Sequence, residues 1–243
     1  MMKGMARELK CGGKPVTVIV LAGGRSRRMN ADKARLRVGD GTLLDHVLAQ
    51  VRPHFEEVLV SISPGQTTTL EAQAETGKQN QRHRNNRSTS KDAHRKTQVR
   101  IVEDGRPGQG PMAGLLACLI AADNEVCFVV ACDIPDVNVP LVRSLVRALR
   151  EAEIAVPMTP AGQFEPLHAV YKKSIIPEIE RLLRAGERSL LPLFEKCRTV
   201  AVPLADTSWL RNLNTRTDYR NYLKDAASER DRKSKGPRLL RKP

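Results

Sequence analysis

Apolar residues along the chain gather in short blocks separated by polar, glycine-rich stretches, and the blocks carry two different periods. Val16 to Ala22 is a nearly continuous apolar, β-branched run, the pattern of a parallel strand buried on both faces. Val58 to Ile62, Val99 to Val102 and Val126 to Ala131 continue the strand pattern, and Ile154 to Pro157 and Val200 to Leu204 read as later strands. Between these runs the spacing becomes helical. The predicted helices are Leu43 to Val51 with Thr42 as N-cap and Pro53 near the stop, Met112 to Ala122, Leu141 to Leu149 with Pro140 at its start, Ile175 to Arg184, Leu190 to Cys197, and Thr215 to Leu223. Glu165 to Tyr171 reads as extended. Strands alternating with helices predict a parallel, right-handed α/β sheet covered by helices on both faces. In such sheets ligands bind just beyond the carboxyl ends of the strands, so the segments following each strand are where chemistry is expected.

One stretch breaks the pattern. Residues 65–98 are rich in Gln, Asn, Ser, Thr, Arg and Lys, with Leu70 as the only large aliphatic residue. Such a segment buries too little apolar surface to offset its ordering entropy, so it is expected to be a flexible polar insertion within a single domain spanning 16–223. Residues 1–15 are expected to be a disordered leader without a secretory apolar region, and 224–243 a basic disordered tail. The formal charge of +14 sits mostly in these three segments: 1–15 carry +3, 66–98 carry +4 and 224–243 carry +5, leaving +2 on the remaining body. That distribution argues against specific nucleic-acid binding by the domain itself. No apolar stretch approaches the roughly 18 residues of a membrane span. The five cysteines form no CxxC pair, and Cys118, Cys127 and Cys132 lie inside apolar runs, which fits small buried hydrophobes in a reducing, cytoplasmic setting.

Three segments after strands carry candidate chemistry. The first is Leu21-Ala-Gly-Gly-Arg-Ser-Arg-Arg-Met-Asn-Ala-Asp-Lys33. Its glycines let backbone N–H groups approach a polyphosphate, and Arg28 and Lys33 bring positive charge. It is neither a Walker A loop nor GxGxxG. The second, Glu103 to Gly114, holds Asp104 at a strand end, followed by a loop shaped by glycines and prolines. A carboxylate there could accept hydrogen bonds from guanine N1–H and N2–H together. The third, Val129 to Pro135, places Asp133 at the end of a buried strand, where Mg²⁺ finds the one or two carboxylates it combines with substrate phosphates. Each segment alone also reads as a structural turn; together, each after a strand of one sheet, they converge on one rim.

These segments resemble the nucleotidyltransferases whose signature is LAGGxSxRMGxDK, and among them the molybdenum cofactor guanylyltransferase (MobA) branch. Pro166-Leu-His-Ala-Val-Tyr171, Gly186-Glu-Arg-Ser189 and Asn212-Leu-Asn214-Thr215 extend the likeness. The resemblance implies a Rossmann-like three-layer fold with a mostly parallel central sheet. It implies GTP held by Leu21, Ala22, Gly23, Gly24, Lys33, Asp104, Gly114 and Asp133, with Mg²⁺ on Asp133. It implies Arg28, Lys33 and Asp133 as the catalytic groups, and His168, Arg188, Asn212 and Asn214 toward a molybdopterin acceptor. The sequence departs from the signature at Asn30, where the family has Gly, and at Ser61, where some members carry a nucleotide-contacting Asn.

Two other readings stay open on sequence. One is another nucleotidyltransferase, such as a molybdopterin cytidylyltransferase or a sugar-phosphate enzyme, separated by its NTP preference. The other is a non-catalytic basic protein that binds nucleic acid, for which the chain has few aromatic residues to stack on bases. Docking of cofactor-pathway proteins or molybdoenzyme chaperones on the tail or insertion is compatible with catalysis.

Overall fold

The apolar runs within Thr17–Leu21, Glu57–Ile62 and Val126–Ala131 become strands in which every residue is buried. The computed structural model describes residues 8–23, 25–26, 31–66, 97–105 and 108–234. Seven strands form one sheet: β1 Thr17–Leu21, β2 Glu57–Ile62, β3 Gln98–Glu103, β4 Val126–Ala131, β5 Ile154–Met158, β6 His168–Lys172 and β7 Thr199–Pro203. Their order is β7-β5-β6-β4-β1-β2-β3. β6 alone runs antiparallel to its neighbours, so the sheet is mostly parallel, as expected. Central β1, β2 and β4 are buried throughout, whereas the edge strands β3 and β7 are partly exposed and carry polar residues such as Arg100 and Thr199.

Alternation along the strands feeds two cores. Val18, Val20, Phe128 and Val130 face one side of the sheet, packing with α1 (Leu43–Val51) and α3 (Val139–Leu149). Ile19, Leu21, Cys127 and Val129 face the other, packing with α2 (Pro111–Ala121) and α4 (Ile176–Arg184). Helix starts follow the sequence signals. Thr42 and Asp45 form a reciprocal capping box at α1, and the Asn138 side chain caps α3. A short helix, α5 (Leu193–Lys196), and a long C-terminal helix, α6 (Arg216–Ser234), complete the chain.

The chain runs outward through β1, β2 and β3, then returns over α2 to place β4 on the opposite side of β1. This reversal between β1 and β4 is the topological switch point at which open α/β sheets bind ligands.

Two boundaries differ from expectation. The disordered leader predicted through residue 15 does not extend over residues 8–15: Lys10–Cys11 pairs with Lys14–Pro15, and Leu9 is buried against the core, with its N–H donated to the His54 carbonyl. An apolar residue at position 9 anchors an otherwise polar segment. Likewise the tail predicted from residue 224 begins as helix, because α6 continues to Ser234. Of the insertion predicted over 65–98, residues 67–96 lie outside the described residues, while Gly65, Gln66, Thr97 and Gln98 belong to the folded body.

At the amino ends of the strands, Glu57 is a buried carboxylate. It accepts hydrogen bonds from Thr17 Oγ1, Arg100 Nη2 and the Asp123 N–H, and Asn124 Nδ2 reaches it at 3.3 Å. The knot ties the starts of β1 and β2 to β3 and to the turn before β4. Glu57→Ala leaves these donors facing a void and is expected to lower unfolding free energy by about 3 kcal/mol in denaturant titrations. Because β2 separates Glu57 from the carboxyl rim by roughly 17 Å, ligand affinity there should be unchanged. A stability loss under about 0.5 kcal/mol would show the knot to be an incidental surface pair.

Candidate active site

Hydrogen bonds continue the sheet ladder past the strand ends. The Cys132 N–H reaches the Leu21 carbonyl at 3.0 Å, the Ala22 N–H reaches Ser61 at 2.9 Å, and the Asp104 N–H reaches Ile62 at 2.9 Å. Extending the strand register by one step past these bonds puts Asp133, Gly23, Ser63 and Asp104 at one level. These four residues line a single cavity of about 850 Å³ together with Leu21, Ala22, Lys33, Gly114 and Leu167. Asp133 and Asp104 follow strands three ladder steps apart, so they stand at opposite ends, roughly 14 Å from each other at the usual strand spacing.

At the β4 end, three distant segments meet. Lys33 Nζ lies 2.7 Å from Asp133 Oδ2 and 2.9 Å from Asn214 Oδ1. The Leu213 N–H donates to the Asp133 carbonyl at 2.9 Å, which holds the Asn212–Thr215 segment against the site. Asp218, in the first turn of α6, accepts from the Asn214 and Thr215 N–H groups and fixes that segment to the helix. Lys33 itself starts a short 3₁₀ turn whose N-cap is Asp32. An ammonium has three donors; two are taken by Asp133 and Asn214, and one remains for the cavity. Asp133 Oδ1 is buried and has no hydrogen-bond partner. A buried, unpartnered carboxylate oxygen next to a cavity fits a divalent cation that draws its other ligands from substrate and water. Among the described residues no group of three or more His, Cys, Asp or Glu side chains could hold a metal by itself. Cys132 also borders the cavity, and burial, with Asp133 adding to it, pushes its thiol pKa up, which favours the protonated thiol.

The second loop is held close to β2. A Cβ placed on Gly114 would lie 2.5 Å from Ser61 Oγ, so with Ser61 at this position α2 approaches the sheet at a distance that favours glycine. The same loop meets the 186–189 loop: a Cβ on Gly110 would lie 3.0 Å from the Arg188 carbonyl, which brings the exposed Arg188 to the cavity's edge.

The fold belongs to a recognised group. Residues 18–200 match the family described as the MobA-like NTP transferase domain. The chain belongs to that family. It is therefore a nucleotidyltransferase. It is 31% identical over 221 residues to the "Probable molybdenum cofactor guanylyltransferase" of Methanosarcina mazei, a match covering 85% of this chain and 89% of that protein. The likeness to the "Probable molybdenum cofactor guanylyltransferase" of Carboxydothermus hydrogenoformans is 27% over 216 residues, covering 86% and 95%. Among solved structures, "Molybdopterin-guanine dinucleotide biosynthesis protein A" from Archaeoglobus fulgidus superposes with a TM-score of 0.64 at 24% identity, covering 89% of this chain and all of that one, which shows a shared fold.

Leu21, Ala22, Gly23, Lys33, Asp104, Gly114 and Asp133 all line the one cavity, and Asn214 joins it through Lys33. Asn212 lies exposed beside it, its carbonyl accepting the Asn214 N–H. Gly24, Arg28 and Asn30 lie outside the described residues.

His168 is a correction. It was expected on the acceptor side, yet it is fully buried on the opposite face of the sheet, between the Phe128 ring at 5.0 Å and the Trp209 ring at 4.7 Å. In a strand, neighbouring side chains alternate: Leu167 faces the cavity and His168 faces away. Sequence reasoning missed Ser63 and Pro64, which line the cavity, and Gln66, which bonds to Ala22 and Asp32; all three fell at the edge of a polar stretch, and the Pro64-Gly65 dipeptide was the turn signal that could have marked them.

Burial lowers the His168 pKa to about 3. The unfolded chain therefore takes up a proton below about 6.5 that the native state refuses. Stability should be fully present above pH 6.5 and fall as pH drops, by about 1.4 kcal/mol per pH unit from this residue. Denaturant titrations between pH 7 and 4 should show that slope, and His168→Phe should remove it; an equal slope in both proteins would contradict the burial argument. For the helix–sheet contact, Gly114→Ala should destabilise by about 1–3 kcal/mol, and adding Ser61→Ala should recover much of the loss. Additive losses in the double variant would show that Ser61 is not what Gly114 accommodates.

Proposed function

We propose that the cavity binds GTP and transfers its GMP moiety to the phosphate of molybdopterin, giving molybdopterin guanine dinucleotide and pyrophosphate. The observation that carries this is the placement of Asp104 and the Lys33–Asp133–Asn214 cluster at opposite ends of one cavity, a span matching a purine nucleotide from base edge to phosphate. The names of the relatives, molybdenum cofactor guanylyltransferases, support the choice of both substrates.

In this reading Asp104 accepts the guanine N1–H and N2–H, and Gly23 and Gly114 leave room for the nucleotide. Lys33 places its remaining N–H on phosphate, with Arg28 adding charge from the same loop. Asp133, through the partnerless Oδ1, would hold Mg²⁺. Bound there, the cation supplies charge neutralisation to phosphate oxygens. An acceptor phosphate oxygen attacks the α-phosphorus in line; the new P–O bond forms as the α–β bridging bond breaks and pyrophosphate departs. The phosphate nucleophile is already anionic, so no general base is required, and the His168 imidazole is buried in the core. Arg188, at the cavity's edge, and Asn212 receive the acceptor. Catalysis is then positioning and electrostatic stabilisation.

The cytoplasm is the compartment proposed; among the described residues no helix is long and apolar enough to cross a membrane. The basic insertion and tail, carrying +4 and +5, are the segments proposed to meet cofactor-pathway proteins or molybdoenzyme chaperones.

Equilibrium binding of GTP, ATP, CTP and UTP in the presence of Mg²⁺ tests the nucleotide assignment. GTP should bind best, and Asp104→Ala should lower its affinity by about 10- to 100-fold with little effect on the other three. A preference for CTP would assign the reaction to cytidylyl transfer, and absence of binding to all four would overturn the reading.

A further inference from the structure

The first loop leaves the sheet at Ala22 and returns at Ala31–Asp32, where a short ladder pairs Arg25 with Asp32. A second device spans the same two ends. After β2 the chain turns through Ser63-Pro64-Gly65-Gln66, with the Gln66 N–H donated to the Ser63 carbonyl at 3.0 Å and Gly65 at φ +73°. Proline second and a positive-φ glycine third is the signature of a type II turn. The turn also orders its own last side chain: Gln66 Oε1 accepts the Ser63 N–H at 3.1 Å. That leaves the amide Nε2 facing the first loop. It donates to the Ala22 carbonyl at 3.1 Å and to Asp32 Oδ2 at 2.8 Å. The other carboxylate oxygen of Asp32 accepts the Ala34 N–H at 3.0 Å, capping the 3₁₀ turn that begins with Lys33. Gly23 rests on the same turn, since a Cβ there would lie 3.1 Å from the Ser63 nitrogen.

We infer that Gln66 is a positioning residue of the nucleotide loop: its side-chain amide joins the loop's outgoing and returning ends to the β2 turn, and so sets Lys33 opposite Asp133. The inference rests on the reading of this loop as the nucleotide site. The residue type follows from the task. The side chain must accept one N–H while giving two hydrogens to two acceptors, which a primary amide does and a carboxylate does not. Asn offers the same groups on a stem one methylene shorter. Gln66 is not among the residues lining the cavity; it acts through Asp32 and Ala22.

The test combines two readouts on the full chain. Hydrogen exchange of peptides covering Ala31–Leu36, without nucleotide, reports the clamp directly; GTP affinity and the separate KM values for GTP and acceptor report its consequence. Gln66→Ala should speed exchange there and raise the GTP Kd and KM, each by about tenfold, with the acceptor KM unchanged. Gln66→Glu should behave the same, because its carboxylate then faces two acceptors. Adding Asp32→Asn to Gln66→Glu reverses donor and acceptor across that contact while the Ala22 carbonyl stays unmatched, and should bring exchange and affinity part of the way back. Unchanged exchange in the folded Gln66→Ala and Gln66→Glu proteins, or a defect the Asp32→Asn partner does not relieve, would overturn the inference. Should the unsubstituted protein bind no nucleotide, the functional reading fails on that result, while the exchange comparison still decides the clamp.

Discussion

The contact between Lys33 and Asp133 is the point on which the site depends. Lys33 comes from the loop after β1, Asp133 from the end of β4, and Asn214 from the segment leading into α6, so one ammonium joins three parts of the chain separated by up to 181 positions. The pairing satisfies one oxygen of Asp133 and leaves the other buried without a partner. A carboxylate in that condition is poorly compensated in the free protein and well suited to a ligand carrying positive charge. The surrounding structure keeps this arrangement in place: the Leu213 N–H on the Asp133 carbonyl, Asp218 on the Asn214 segment, Asp32 at the start of the Lys33 turn.

The sheet divides its two rims between stability and chemistry. At the amino rim the buried carboxylate of Glu57 is engaged by Thr17, Arg100 and the turn at Asp123. At the carboxyl rim the ladder continues one step beyond the strands and then stops, so the residues at that level present backbone and carboxylates to a cavity and not to one another. The difference lies in what the loops do. Loops at the amino rim close on Glu57, whereas the described glycines at the carboxyl rim, Gly23, Gly108, Gly110 and Gly114, border the cavity.

Much of this was legible in the amino-acid pattern because the determinants are local. Continuous apolar runs mark strands buried on both faces, and Thr42 with Asp45, or Asn138 before Pro140, mark helix starts within a few residues. The strand-then-loop rule was enough to place Asp104 and Asp133 on one rim. What escaped depends on contacts distant in sequence or on orientation. The face His168 presents depends on strand parity, and a one-residue shift exchanges cavity for core. Gln66 bonds to residues 34 and 44 positions away, so composition alone assigned it to a polar stretch. Leu9 lies in a polar segment and is buried only because the His54 carbonyl and the α3 face are there to receive it.

The most direct test of the account is pyrophosphate release by the purified protein supplied with GTP, molybdopterin and Mg²⁺, compared with Asp133→Asn. The account predicts release that requires all three and matches the acceptor consumed one for one. It predicts a loss of at least about 100-fold in kcat in the variant, with the protein still folded, as expected when a group that stabilises transition-state charge is removed. Turnover in Asp133→Asn within about twofold of the unsubstituted protein, at any Mg²⁺ concentration, would contradict the central place given to this carboxylate.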